Sequence, residues 1–170
     1  MQNHGQPIAC KGGRVYRVID GDTVVVQTTW RRVTLRLDSI DCPEHDQYWG
    51  DTARYGLTKL IGGRSIRFEE HTEDEYGRTL ATVFVRPEGQ RNWINVNARM
   101  VTLGHAWVYR QHYSHLPIVR QTELDNLERW ARLNNIGLWK DANPVPPWEW
   151  RSGAVLKPGS VAVIGQMRVH

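Results

Sequence analysis

With 170 residues, 40% of them apolar and 24% charged, the chain can bury a real core in one domain and is not of disordered composition. A formal charge of +4 favours an anionic partner only weakly, and no apolar run reaches the roughly 20 residues of a membrane-crossing helix. Cys10 and Cys42 read as two free thiols, with a disulfide the alternative for an exported protein, and the lack of a Cys-x-x-Cys spacing argues against a zinc ribbon.

Residues 1–13 are read as an N-terminal arm. Arg14–Ile19, Thr23–Gln27 and Val33–Leu37 are rich in β-branched residues and are split by Gly21 and the polar Thr28–Arg32 turn, which predicts a β-meander. Ala53, Leu57, Leu60 and Ile61 predict a helix over Asp51–Ile61, closed by Gly62-Gly63. Arg64–Glu69 and Thr79–Val85 alternate as two further strands about an Asp74–Arg78 hairpin. Five short strands with a helix after the third predict an α+β fold, an OB-type Greek-key barrel with about three flanking helices. Asn95 is placed to cap Val96–Leu103, and Pro117 to open a helix through about Leu133. Between them, Ala106–Tyr109 is a short apolar stretch. The domain is read as residues 14–151, followed by a tail, 152–170, with a strand-like Val161–Ile164.

Chemistry concentrates in three fragments: Asp20-Gly21-Asp22-Thr23, Arg36 through Glu44, and Asp74–Arg78. Asp20 and Asp22 point the same way from an extended segment and are the oxygen ligands a hard cation takes, although Asp-Gly is also an ordinary hairpin turn. Pro43 pushes Cys42 toward extended geometry, so its carbonyl can face a cation beside Asp41. Glu44 is then free to take a proton from water. Alternation puts Val33, Leu35 and Leu37 on one face of a strand, with Thr34, Arg36 and Asp38 on the other. Arg36 is thus an outward-facing surface residue or a phosphate fork, and Arg78 is open to the same two readings. His112 and His115 stand too far from other ligands to suggest a metal site.

Taken in order, these fragments resemble the staphylococcal-nuclease-like family. The stretch Asn97–Tyr109, Gly137-Leu138-Trp139 and Pro146–Arg151 are similar to its bacterial members, so the likeness runs from about Val15 to Arg151. The resemblance implies a barrel followed by helices, and a nuclease that needs one Ca2+ ion and hydrolyses DNA and RNA at the P–O5′ bond to leave 3′-phosphate ends. It assigns Asp22 and Asp41 as carboxylate ligands and the Cys42 main-chain oxygen as a third. Asp20 supports the ion from behind, Glu44 is the general base, and Arg36 and Arg78 hold the scissile phosphate. Tyr76 is placed at the substrate. Trp107 and Tyr109 are an aromatic pair beside the bases or, equally, core residues. Cys42 stands where the family often has threonine, and Glu75 where its best-known member has a lysine that holds a terminal phosphate.

A preference for single strands, a monomer and no membrane partner are expected. The opening Met1–Pro7 lacks the apolar run of a signal peptide, so the protein is either cytoplasmic or trimmed of a leader. The ready supply of calcium outside the cytoplasm favours the exported form. The alternatives are an OB-fold nucleic-acid-binding module with weak or lost catalysis, and a structural domain whose Asp-Gly and Tyr-Gly segments are plain turns.

Overall fold

The computed structural model describes residues 10–154; the expected strand at Val161–Ile164 lies outside the described residues. The meander forms as β1 (Lys11–Asp20), β2 (Thr23–Gln27) and β3 (Arg32–Leu37), followed by a two-residue strand β4 (Ile40–Asp41). Helix α1 (Gly50–Ile61) separates it from a second hairpin, β5 (Ser65–Glu73) and β6 (Thr79–Val85). Strand β1 pairs with both β2 and β5, β5 pairs with β6, and β6 runs parallel to β3, which closes a five-stranded barrel of OB type. Short β7 (Ile94–Asn95) pairs antiparallel with the end of β6, and β8 (Trp107–Val108) pairs with β4.

Alternating β-branched and aliphatic residues fill the barrel: Val24, Val26, Leu35, Leu37, Phe68 and Val83 are all buried. Leu57 and Ile61 of α1 complete the same core, each worth about 1.5–3 kcal/mol relative to exposure. Asn95 caps α2 (Val96–Thr102) as expected, its side chain accepting from the Ala98 amide at 3.0 Å. Asn97 bolts α2 to the barrel, accepting from the Val83 amide and donating to the carbonyls of Asp38 and Ala81. Helix α3 (Ile118–Leu133) follows Pro117, and a short α4 (Pro147–Ser152) starts at a proline. The tail boundary expected at Arg151 therefore falls inside a helix.

Two irregularities matter for function. In β1 the pairing with β2 slips between Val18 and Asp20, and in β5 the pairing with β6 slips between Glu70 and Thr72. A bulge bends its strand and re-aims the side chains around it. Asp20 follows the first bulge, and His71 is the extra residue of the second.

Candidate active site

The β1–β2 hairpin turns on Gly21 and Asp22, with Asp20 opposite Thr23, so the ordinary turn and the acidic cluster are one feature. Gly21 is needed there for space rather than for an unusual φ. A Cβ on it would lie 2.8 Å from the Cys42 Cβ and 2.9 Å from the Ala53 Cβ. The turn thus lies directly against the Asp41–Cys42 segment. The Cys42 amide donates to Asp22 Oδ2 at 2.9 Å, and Thr23 Oγ1 donates to Asp22 Oδ1 at 3.0 Å. Burial holds the Cys42 thiol well above its ordinary pKa, so the sulfur stays protonated and inert.

Arg36 is buried, not outward-facing as strand alternation had it, because the turn after β3 folds over that end of the barrel. That turn bends at Ser39, whose φ of 63° lies in the left-handed region. Arg36 Nη1 donates to the carbonyls of Leu37 at 2.6 Å and Ile40 at 2.9 Å, while Nη2 meets Asp41 Oδ1 at 2.9 Å and Asp22 Oδ2 at 3.2 Å. Burial opposes its charge, but Asp22 and Asp41 more than offset that and hold its pKa above the ordinary value.

Arg151 was not among the residues singled out from the sequence, yet it joins the site from α4. Its guanidinium forks onto Asp41 at 2.7 and 3.2 Å and reaches Glu44 Oε1 at 2.7 Å. Those bonds, with Asp41 first and Glu44 after, raise its pKa above the usual arginine range. The signal available was its place in the Pro146–Arg151 fragment that carries the family resemblance. Glu44 is further fixed by its amide, which donates to Gln47 Oε1, and by Gly50, where any Cβ would collide with the Glu44 carbonyl oxygen.

These groups line a pocket of about 670 Å3 together with Asp20, Asp74, Tyr76, Arg78 and Tyr109. Arg78 sits on the β5–β6 hairpin, paired with Asp74 at 2.7 Å and placed 5.4 Å from the centre of the exposed Tyr76 ring. Asp74 also accepts from the amides of Tyr76 and Arg78, which sets the shape of that hairpin. Glu75 lines the pocket as well.

The aromatic pair divides. Tyr109 lines the pocket and stacks on Trp148, with ring centres 5.2 Å apart. Trp107 turns inward and is buried against Trp139 at 4.4 Å and Trp148 at 5.7 Å, with Arg132 over its face. Of its two readings, base stacking and core, Trp107 takes the core one, buried on β8 opposite Asp41 of β4. Cys10 and Cys42 are both free. The expectation that the late histidines stand alone also fails for His115. Its Nε2 lies 2.6 Å from Asp38 Oδ2, with His71 close by.

The carboxylates suit a hard cation. Asp20, Asp22, Asp41 and Glu44 gather about Arg36 and Arg151, and acids outnumber arginines in the pocket lining. Burial and then the neighbouring Asp22 push Asp20 up to about 6, and burial also raises Asp41. A divalent cation would relieve that crowding.

A barrel whose open end gathers carboxylates and guanidiniums in this way belongs to a nuclease, an enzyme that hydrolyses phosphodiester bonds. The family model described as "Staphylococcal nuclease homologue" matches residues 34–141, and the chain belongs to that family. It is 42% identical over 145 residues to "Protein ParB" of Escherichia coli, covering 82% of this chain and 78% of that one. It is 41% identical over 147 residues to an "Uncharacterized endonuclease" of Escherichia coli O157:H7, covering 85% and 89%. Against a "Micrococcal nuclease" of Shigella flexneri the identity is 39% over 142 residues, covering 82% and 79%.

Proposed function

We propose that this chain is a Ca2+-dependent endonuclease that is indifferent to the sugar, cuts DNA and RNA at the P–O5′ bond and leaves 3′-phosphate ends. The observation that carries the reading is the meeting of Asp22, Asp41, Glu44, Arg36 and Arg78 in a single pocket. Asp22 and Asp41, with the Cys42 main-chain oxygen, would hold the ion, and Asp20 would support it from behind. The bound ion would supply Lewis acidity at the phosphate.

The remaining work falls to the chain. Glu44 takes a proton from the water that attacks phosphorus, and Arg151 fixes the carboxylate in place. As the oxygen of water bonds to phosphorus, the P–O5′ bond breaks and O5′ takes a proton from solvent, to which Glu44 later returns the one it accepted. Arg36 and Arg78 offset the charge that grows on the phosphoryl oxygens. Arg36 is positioned at the pocket by two carbonyls and two carboxylates. Tyr109 and Tyr76 offer flat faces to bases without regard to their identity, which favours single-stranded substrate. Digestion of single-stranded DNA and RNA in Ca2+, in Mg2+ alone and in chelator, with analysis of product ends, tests the reading. Activity in Ca2+ only, with 3′-phosphate ends, is expected; undiminished activity in chelator or 5′-phosphate products would refute it.

A further inference from the structure

Beside the β3–β4 turn lies a second convergence of metal-ligating atoms, built from segments far apart in the chain. Asp38 is buried at the end of β3, His71 comes from the β5 bulge, and His115 lies in the loop leading to α3. His115 Nε2 stands 2.6 Å from Asp38 Oδ2, and His71 Nε2 stands 3.8 Å from the same oxygen. All three donor atoms lie within 4.8 Å of one another. We propose that Asp38, His71 and His115 form a site for a divalent transition ion of the zinc class, separate from the hard-cation site at Asp22 and Asp41. The proposal stands independently of the nuclease reading.

The spacing supports it. Ligand atoms about 2.0–2.1 Å from a tetrahedral zinc stand roughly 3.3 Å from each other. The observed separations of 2.6 and 3.8 Å lie on either side of that value, so small rotations of two imidazole rings would seat an ion. The ligand chemistry selects among metals. Two imidazole nitrogens and one carboxylate suit zinc and its neighbours, whereas calcium requires six to eight oxygens.

The supporting residues match those of a built site. Ser39 Oγ donates to Asp38 Oδ2 at 3.0 Å and orients the carboxylate, while Thr82 Oγ1 lies 2.7 Å from His71 Nε2 and holds that ring until an ion takes its place. The charged groups near His71, Arg120 and Glu69, pair with each other at 3.0 Å and so compete little for the cluster. His115 is half-exposed, which gives an ion a path from solvent and leaves the fourth tetrahedral position to water. An ion here would clip the β3–β4 turn, the β5 bulge and the segment before α3 together. The Ser39 carbonyl accepts from the Tyr109 amide at 2.9 Å, so the clip would also stiffen the pocket wall that carries Tyr109 and Asp41.

The test is titration of the full chain with Zn2+, and separately with Co2+ as a spectroscopic probe, in excess Ca2+ so that the hard-cation site is filled. The expected result is one Zn2+ per chain, a Tm raised by roughly 5–10 °C at a free Zn2+ 100-fold above Kd, and the intense visible absorption of tetrahedral Co2+. His115→Ala, a change at a half-exposed position, should abolish both signals with an unchanged far-UV spectrum, as should His71→Ala. His45→Ala, at an exposed histidine outside the cluster, should keep them. The proposal is overturned if the unmodified chain shows no saturable Zn2+ effect, if the signals persist in His115→Ala and His71→Ala, or if His45→Ala removes them.

Discussion

The carboxylate–arginine pocket and the Asp38–His71–His115 cluster share one stretch of chain, Asp38 to Asp41, and differ in nearly everything else. In the first, acids crowd together and buried or half-buried guanidiniums hold them. In the second, a single buried carboxylate meets two imidazoles. The contrast shows how one turn, bent at Ser39, can present successive side chains to two environments that favour different ions. Hard oxygen ligands suit calcium or magnesium, whereas imidazole nitrogens suit zinc and its neighbours.

Several changes would sharpen or break that contrast. Glu44→Gln should have the largest effect, lowering turnover by roughly 10²–10⁴-fold while keeping an acceptor for Arg151, so Tm should barely move. Near-normal turnover would remove Glu44 from the proton transfer. Arg36→Ala and Arg78→Ala should each cost roughly 10²–10³-fold in kcat, but they should part in stability. Arg36→Ala leaves Asp22 buried without its ion-pair partner and Asp41 with Arg151 alone, and should cost about 3–5 kcal/mol in denaturant titration. Arg78 lies on a more exposed hairpin, and its ion pair with Asp74 is worth about 1 kcal/mol or less. Equal stability losses in the two variants would mean that Arg36 is not the buried counter-charge described.

Arg151→Ala comes next. It should lower kcat more than it raises KM, because it frees Glu44 without touching substrate, and Arg151→Lys should restore part of the loss. A histidine outside both centres gives the smallest effect and a baseline. His105 Nδ1 accepts from Trp49 Nε1 at 2.9 Å, and burial holds its pKa below the ordinary histidine value. The unfolded chain therefore takes up the proton first, and stability falls as pH drops through about 6.5, by roughly 1.4 kcal/mol per pH unit until the folded ring titrates. Thermal melts at pH 7.5 and 5.5 should show the fall, and it should shrink in a His105→Gln variant.

Much of the pocket was legible because Asp20, Asp22, Arg36, Asp41 and Glu44 follow one another along a meander whose β-branched runs are plain in the sequence. Strands Thr23–Gln27 and Thr79–Val85 fall where the pattern places them, and the Asn95 cap is satisfied as drawn. What stayed hidden depends on packing. Strand alternation puts Arg36 outside, and only the closure of the turn over the barrel end makes it buried. His71 reaches Asp38 through a bulge, which carries no marker in residue types. Trp107 and Tyr109 look alike along the chain, and the tryptophan cluster separates them. Arg151 lies more than a hundred residues from its partners, so no local spacing could join them.

The attachment of α4 has a further consequence. Trp148 stacks on Tyr109 and Trp150 donates to Asp46, so this short helix brings Arg151 to Glu44. During synthesis Glu44 is therefore made long before the arginine that holds it. A nascent chain would lack the Arg151 contacts to Asp41 and Glu44 until residues past Pro147 emerge.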